Sequence, residues 1–426
     1  MISYEEALRI ILENTHAGEP EERPVAECTG QVLAQDVFAR QGFPPSDVSA
    51  RDGYAVRSLD VRSAGRQKPV VLRTIETVKA GSMARKTVGP GTCTRIMTGA
   101  HIPEGADCVV QFEDTDEPRG HQGARVLRPK EVKIYIPAEP GTHIRRAGSA
   151  MSEGTLLMTA GTIIGPPQIS ALVTSGLHRV KVIRRPRIGV IATGNELQSM
   201  GRPLVPGKIY NSNGPAVASM VSCYEGIPKV LGIACDREAS LLAKIRKGLK
   251  WDGIITTGGV SMGDYDVVRL LMGKEGKPLF SRVKMEPGRA VLFSLLERKG
   301  PEGVKITVPL FGLAGPPAAG LVNFEMLVRP ALLKMRGVET TDPAGVDAVA
   351  ADAFSNGRPV PLVKWTILTG SCGAYCVTLC GSRNTGESIP MEKANSLVVI
   401  PAESSVNPGD TIQVRPLDWG GGAFFP

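Results

Sequence analysis

The residues of this chain best suited to chemistry are carboxylates and glycines that share short loops. Thr193-Gly194-Asn195-Glu196 follows the apolar run RIGVIA, and Cys235-Asp236 follows KVLGIA. Gly258-Gly259-Val260-Ser261-Met262-Gly263-Asp264-Tyr265-Asp266 follows DGIITT. A Thr-Gly pair lets the backbone approach a phosphate closely and turn its N–H groups toward the oxygens. Carboxylates beside such loops would repel a phosphate unless a divalent cation lay between them, which makes Mg²⁺ the natural ion. Taken singly, Glu196 and Asp236 would serve equally as helix caps or first-turn acids. Asp264 and Asp266 would serve equally to end a strand. Their recurrence at three successive exits is what points to a site.

Bringing three loops together requires strands whose ends align. From Arg187 the chain alternates apolar strands with helical stretches near 214–224 and 237–249. The runs AVLFSLL and VKITVPLF continue the series before a helix near 317–335. This alternation predicts an α/β domain with a parallel sheet and crossover helices, whose ligands bind beyond the carboxyl ends of the strands. At the start of the chain, Ala7, Leu8, Ile11 and Leu12 recur at helical spacing behind Ser3, with Glu6 completing a capping-box pattern. From about 24 to 178, and again beyond about 338, Gly and Pro cut up short Val/Thr/Ile runs, the texture of β-rich domains.

At 426 residues the chain has room for roughly three domains. Its 49 glycines and 33 prolines make about a fifth of the sequence, turn-rich but below the proportion of disordered chains. A net charge of +8 favours an anionic partner such as a phosphorylated metabolite or an oxyanion. Aromatic residues are only 5%, and no basic run carries interleaved aromatics, so nucleic acid is not an expected partner. No apolar run of about 18 residues is present to span a membrane, and the acidic amphipathic start differs from a signal peptide, so a cytoplasmic protein is expected. Neither GxxxxGK[ST] nor GxGxxG occurs, and the five histidines show no ligand or triad spacing. Cys372, Cys376 and Cys380 recur every four residues in a strand-like run, which predicts a buried stripe on one face of a strand rather than a metal centre.

Two further clusters stand out in the β-rich front half: Ser49-Ala50-Arg51-Asp52-Gly53-Tyr54-Ala55-Val56 and Arg95-Ile96-Met97-Thr98-Gly99-Ala100. On spacing alone Asp52-Gly53 reads equally as a tight turn. At these clusters the sequence resembles the MoeA family of molybdopterin molybdenumtransferases, which includes the E domain of gephyrin. The resemblance runs over nearly the whole chain, through Ser49–Val56 (family pattern SAMDGYAV), Arg95–Ala100 (RIMTGA), Thr193–Leu197 (TG[ND]EL), Asn211-Ser212-Asn213 and Thr257–Asp266 (GGVSxGDYD).

It implies Mg²⁺-dependent insertion of molybdate into adenylyl-molybdopterin with release of AMP, in a homodimer, with a MogA-like partner and molybdoenzyme acceptors. Asp52, Glu196, Asp236 and Asp266 match the functional acids, with Asp236 and Asp266 toward the metal. Thr98, Gly99, Thr193, Gly194, Asn195, Asn211, Asn213, Gly258, Gly259, Ser261, Gly288, Arg289 and Gly315 match substrate-binding positions. The implied fold is an L-shaped protomer: a MogA-like α/β domain (1–22 and 179–335), a β-rich linker domain (23–43 and 140–178), an inserted β-rich lid domain (44–139) and a C-terminal β-barrel (336–426).

Several positions depart from the family pattern. Glu286-Pro287-Gly288-Arg289-Ala290 stands where KPGKP is usual, and Gly312–Gly320 replaces GLPGNPVSA, with Pro316 and Ala319 in place of the asparagine and the serine. Ser149-Ala150 replaces an acidic pair, and Arg51 replaces a methionine. Exchanging Lys⁺ for Glu⁻ about 4 Å from an oxyanion is a swing of several kcal/mol at an effective dielectric near 20. Oxyanion binding would then depend on compensation by Arg51 or Arg289. The departures leave two further readings open: a transferase retuned to tungstate, or a carrier or scaffold that binds the adenylylated pterin or a protein without turnover.

Overall fold

The computed structural model describes residues 1–117, 130–260, 267–339, 345–371, 374–380, 389–417 and 419. A six-stranded sheet organises the α/β part, in the order Ile227–Ala234, Arg187–Thr193, Gly253–Thr257, Lys305–Leu313, Ala290–Lys299, Lys277–Arg282. The first four strands run parallel. In the Arg187–Thr193 strand every residue from Ile188 onward is buried, the continuous apolar pattern of a strand covered on both faces. Successive side chains point to opposite faces: Val190, Ile255 and Phe311 enter one core, and Ile191, Ile254 and Leu310 the other. Each such burial stabilises by about 1.5–3 kcal/mol.

The Ala290–Lys299 strand corrects the expectation of a parallel sheet throughout, because it pairs antiparallel with both neighbours. It is joined to Lys305–Leu313 by a turn in which Gly300 N donates to Val304 O at 2.7 Å. A parallel crossover needs a dozen or more residues, so a link this short closes a hairpin.

Helices Asn213–Cys223 and Glu238–Gly248 lie between the strands, close to where the periodicity predicts them, and a further helix, Val267–Glu275, follows the Gly253–Thr257 strand without having been marked in the sequence. The helix expected near 317–335 is present but is interrupted by a π-helical turn, Phe324–Val328, between Pro317–Asn323 and Arg329–Met335. Pro330 has no N–H to offer the Met326 carbonyl one turn back, and Tyr4 Oη donates to that carbonyl instead at 3.4 Å. Tyr4 opens the N-terminal helix Tyr4–Glu13, whose Ala7 and Ile11 pack with Ala331 and Met335. Glu6 N donates to Ser3 Oγ at 3.1 Å, but the Glu6 carboxylate turns to Arg9 at 2.7 Å, so only half of the capping box forms.

The front half builds smaller cores of its own. A five-stranded sheet, in the order Cys108–Gln111, Gly53–Val56, Thr92–Ile96, Val70–Val78, Glu131–Ile134, encloses Tyr54, Leu72, Cys93 and Ile134. The chain enters and leaves this unit through paired short strands, Val48–Ser49 and Ile144–Arg145. A second core gathers Val25, Cys28, Leu33, Ile164, Leu172 and Val182 around the helix Pro166–Thr174 and the paired strands Pro20–Pro24 and Arg179–Ile183.

At the C-terminal end a closed barrel runs Val346–Ala350, Ala374–Leu379, Leu362–Ser371, Ser396–Ile400, Thr411–Pro416 around Phe354, Val377, Val398 and Val414. Of the cysteine series, Cys376 and Cys380 are half-buried and Cys372 lies outside the described residues. Cys380 packs against the main core, and burial raises its thiol pKa. Among the described residues no group of three or more His, Cys, Asp or Glu converges to hold a metal, and no helix is long and apolar enough to cross a membrane.

Candidate functional site

The loops leaving the carboxyl ends of the parallel strands surround a cleft of about 610 Å³. Thr193, Gly194, Glu196 and Asp236 line one wall, Gly258 and Gly259 lie at its base, and Glu286, Gly288, Arg289, Gly315 and Pro316 line the rest. It continues into a lobe of about 380 Å³ lined by Tyr210, Asn211, Asn213 and Thr257, with Thr193, Glu196 and Gly315 common to both.

The loops are held by hydrogen bonds and by glycines that only a bare Cα satisfies. Gly194 has φ +150°, and a Cβ there would lie 2.5 Å from the Glu196 carboxylate, so the acid folds directly over the strand exit. Gly258 has φ +87° and lies so close to Thr193 that a Cβ would meet its carbonyl oxygen at 2.8 Å. Thr193 Oγ1 donates to Thr257 O at 3.1 Å, tying neighbouring exits. Asn195 and Asp236 bond reciprocally: Asn195 N donates to Asp236 Oδ2 at 3.0 Å, and Asp236 N to Asn195 Oδ1 at 3.2 Å. Asn213 Nδ2 donates to Gly315 O at 2.7 Å, and Asn211 Oδ1 accepts from Gly214 N at 3.0 Å. In the second lobe Thr257 Oγ1 is buried with no hydrogen-bond partner among the described residues.

Across the cleft, Gly288 has φ +100° and its carbonyl accepts from Nδ2 of the fully buried Asn323 at 2.7 Å. The same amide accepts from Ala314 N at 3.2 Å, so one side chain fixes two loops. Glu286 is not an isolated negative charge. Arg289 lies 2.7 Å from one of its oxygens and Arg358, from the barrel, donates to the other at 3.0 Å. Arg358 also reduces the proton affinity of Lys364, whose pKa is lowered first by burial and then by that neighbouring charge.

The structure therefore brings together Glu196, Asp236, Thr193, Gly194, Gly258, Gly259, Gly288, Arg289 and Gly315 in the main cleft, and Asn211 and Asn213 in its second lobe. Asn195 does not line the cleft but braces Asp236. Asp52, Thr98 and Gly99 also lie away from it, on the inserted β unit, where Asp52 Oδ1 accepts from Thr98 N at 2.7 Å and Thr98 Oγ1 at 2.9 Å. Ser261, Asp264 and Asp266 lie outside the described residues. Of the two arginines expected to compensate for Glu286, Arg289 contacts it, joined by Arg358, which the sequence reading did not single out, while Arg51 is exposed on the inserted unit. Asn323 carried no signal in the sequence beyond being an amide within a helical run.

Residues 2–176 match the MoeA N-terminal region (domain I and II), and residues 189–334 match a probable molybdopterin binding domain. The chain is 32% identical to a molybdopterin molybdenumtransferase of Bacillus subtilis, over 100% of this chain and 96% of the relative. It is 33% identical to one of Staphylococcus aureus, over 90% and 88%. The solved structure of a molybdopterin biosynthesis MoeA protein from Pyrococcus horikosii superposes with a TM-score of 0.80 at 29% identity, covering 99% of this chain and 100% of that one. With strand exits, glycine loops and inserted and barrel domains in this arrangement, the chain belongs to the MoeA family of molybdopterin molybdenumtransferases, transferases of molybdenum cofactor biosynthesis.

Proposed function

We propose that this protein inserts molybdate into adenylyl-molybdopterin with release of AMP, in a Mg²⁺-dependent reaction. The observation that carries the reading is a cleft lined at once by the carboxylates Glu196 and Asp236, by Arg289 and by glycine loops. Two carboxylates with room left for water and phosphate oxygens suit Mg²⁺, which rarely takes a full cage of protein ligands. Asp236 and Asp266 are the residues to hold it, and the ion would supply charge neutralisation at the pyrophosphate.

The chain's own residues do the rest by positioning. The bare Cα positions Gly194, Gly258 and Gly259 let phosphate oxygens approach the backbone closely, the second lobe with Tyr210, Asn211, Asn213 and the Thr257 hydroxyl, unpartnered among the described residues, accepts a polar ring system, and the arginine side of the cleft receives the oxyanion. No protein nucleophile is required. In a homodimer, the Asp52–Thr98 turn of the inserted unit is free to serve the cleft of the second copy, since it does not line the cleft of its own chain.

Glu286 favours a second reading in which oxyanion binding is weak and the protein prefers tungstate or acts as a carrier of the adenylylated pterin. AMP release from adenylyl-molybdopterin with Mg²⁺ tests both, measured with and without molybdate or tungstate on the wild type and on Asp266→Asn. Oxyanion-dependent release that disappears in the variant supports the transferase; tight substrate binding without AMP under either oxyanion leaves the carrier.

A further inference from the structure

One wall of the cleft carries a carboxylate already clasped by two guanidinium groups from different domains. Glu286 Oε1 lies 2.7 Å from Arg289 Nη2, and Oε2 lies 3.0 Å from Arg358 Nη1. The arginine side chains remain 48% exposed while Glu286 is 24% exposed, so the carboxylate fills the space between two cations that still face solvent. Its backbone is pinned as well: Glu286 N donates to Pro361 O at 2.9 Å, and Val363 N donates to Glu286 O at 2.6 Å. Asn323 fixes the same loop two residues on, at Gly288. An ordinary surface ion pair has no such anchoring and is worth little. Planar N–H donors converging from two sides are the pattern by which arginines recognise an external oxyanion, and here an internal oxyanion occupies it.

We propose that Glu286 is a built-in counter-anion, a specificity-determining side chain that an incoming oxyanion must displace from Arg289 and Arg358 before it can bind. The identity of that oxyanion as molybdate or tungstate rests on the transferase reading; the displacement does not. With Glu286 in place the three side chains sum to one positive charge, and without its charge they sum to two. The carboxylate therefore keeps the site from filling with abundant anions at low concentration and links oxyanion entry to the contact between the barrel and the α/β domain.

The test is calorimetric titration of the full chain with sodium molybdate, sodium tungstate and sodium sulfate. Glu286→Gln, which keeps the side-chain volume and removes the charge, is expected to bind at least one of these anions tenfold or more tightly than the wild type. Arg358→Gln, which leaves Glu286 to neutralise Arg289, is expected to bind them at least tenfold more weakly. Unchanged or weaker binding by Glu286→Gln overturns the proposal and makes Glu286 a latch for the barrel. If that variant does not fold, Arg358→Gln decides alone: affinity equal to the wild type overturns the proposal. AMP release reports separately on the transferase reading, so either conclusion can fail without the other.

Discussion

Asn195 and Asp236 hold each other across two strand exits, each giving a backbone N–H to the other's side chain, at 3.0 and 3.2 Å. One Asp236 oxygen is thus committed to the loop and the other is left to the cleft. The two functions separate by substitution. Asp236→Asn retains an oxygen able to accept from Asn195 N but loses the charge, so it is expected to fold like the wild type and to lose AMP release by a hundredfold or more. Asn195→Ala keeps the charge and loosens the loop, and its expected loss is about tenfold, seen mainly in substrate affinity. Steady-state kinetics over a Mg²⁺ series checks both, and equal activity of Asp236→Asn and the wild type would remove Asp236 from any charge-dependent role.

Asn323 is fully buried and satisfies both Gly288 O and Ala314 N. Asn323→Ala strands a donor and an acceptor away from water, at a cost of about 1–3 kcal/mol for each. Urea unfolding should show a loss of about 2–5 kcal/mol, far more than for Asn195→Ala on the exposed loop.

Asp47 carries the predicted acid dependence. The Ala147 N–H bond, at 2.8 Å, is the chief cause that holds its carboxyl below the usual range; burial opposes it, and Arg146, at 2.5 Å, adds to the lowering. The unfolded chain, with a carboxyl pKa near 3.9, therefore takes up the proton first as pH falls. The stability Asp47 contributes is fully present above about pH 4 and lost as pH drops through the lower folded value. Asp47→Asn should flatten the stability profile below about pH 4 and leave its slope near pH 7 unchanged, as read by thermal unfolding across buffers.

Thiol chemistry offers an independent check on the packing. Burial pushes Cys93 and Cys108 up to about 12, whereas Cys235 is exposed beside Asp236. Iodoacetamide at pH 8 should modify Cys235 in the native protein and reach Cys93 and Cys108 only after unfolding, as resolved by peptide mass spectrometry.

Much of this site could be read from residues that act locally. The exits after Ala192 and Thr257 were visible because parallel strands buried on both faces leave continuous apolar runs that stop abruptly at a Thr-Gly or Gly-Gly turn, whereas Ile227–Ala234, a mostly exposed or half-buried edge strand, was marked only by the short run before Cys235-Asp236. The antiparallel hairpin escaped because AVLFSLL and VKITVPLF are as apolar as the parallel strands, and only Gly300-Pro301-Glu302-Gly303 between them marks the reversal. Arg358 was beyond reach: it stands 72 residues from Glu286 in another domain, and its partner is set by how the barrel docks. Asn195 illustrates the opposite limit, since its spacing is that of a ligand-binding residue while its bonds are those of a brace.

The paired strands Val48–Ser49 and Ile144–Arg145 bring the two ends of the inserted unit side by side, with Val48 opposite Arg145. Opposed residues of an antiparallel pair lie only about 4.5–5.5 Å apart. The unit is therefore a detachable cassette: a two-residue turn spans the gap left by its removal, and the excised segment starts and finishes at one point, ready to be grafted, circularised or exchanged between relatives without stretching either chain.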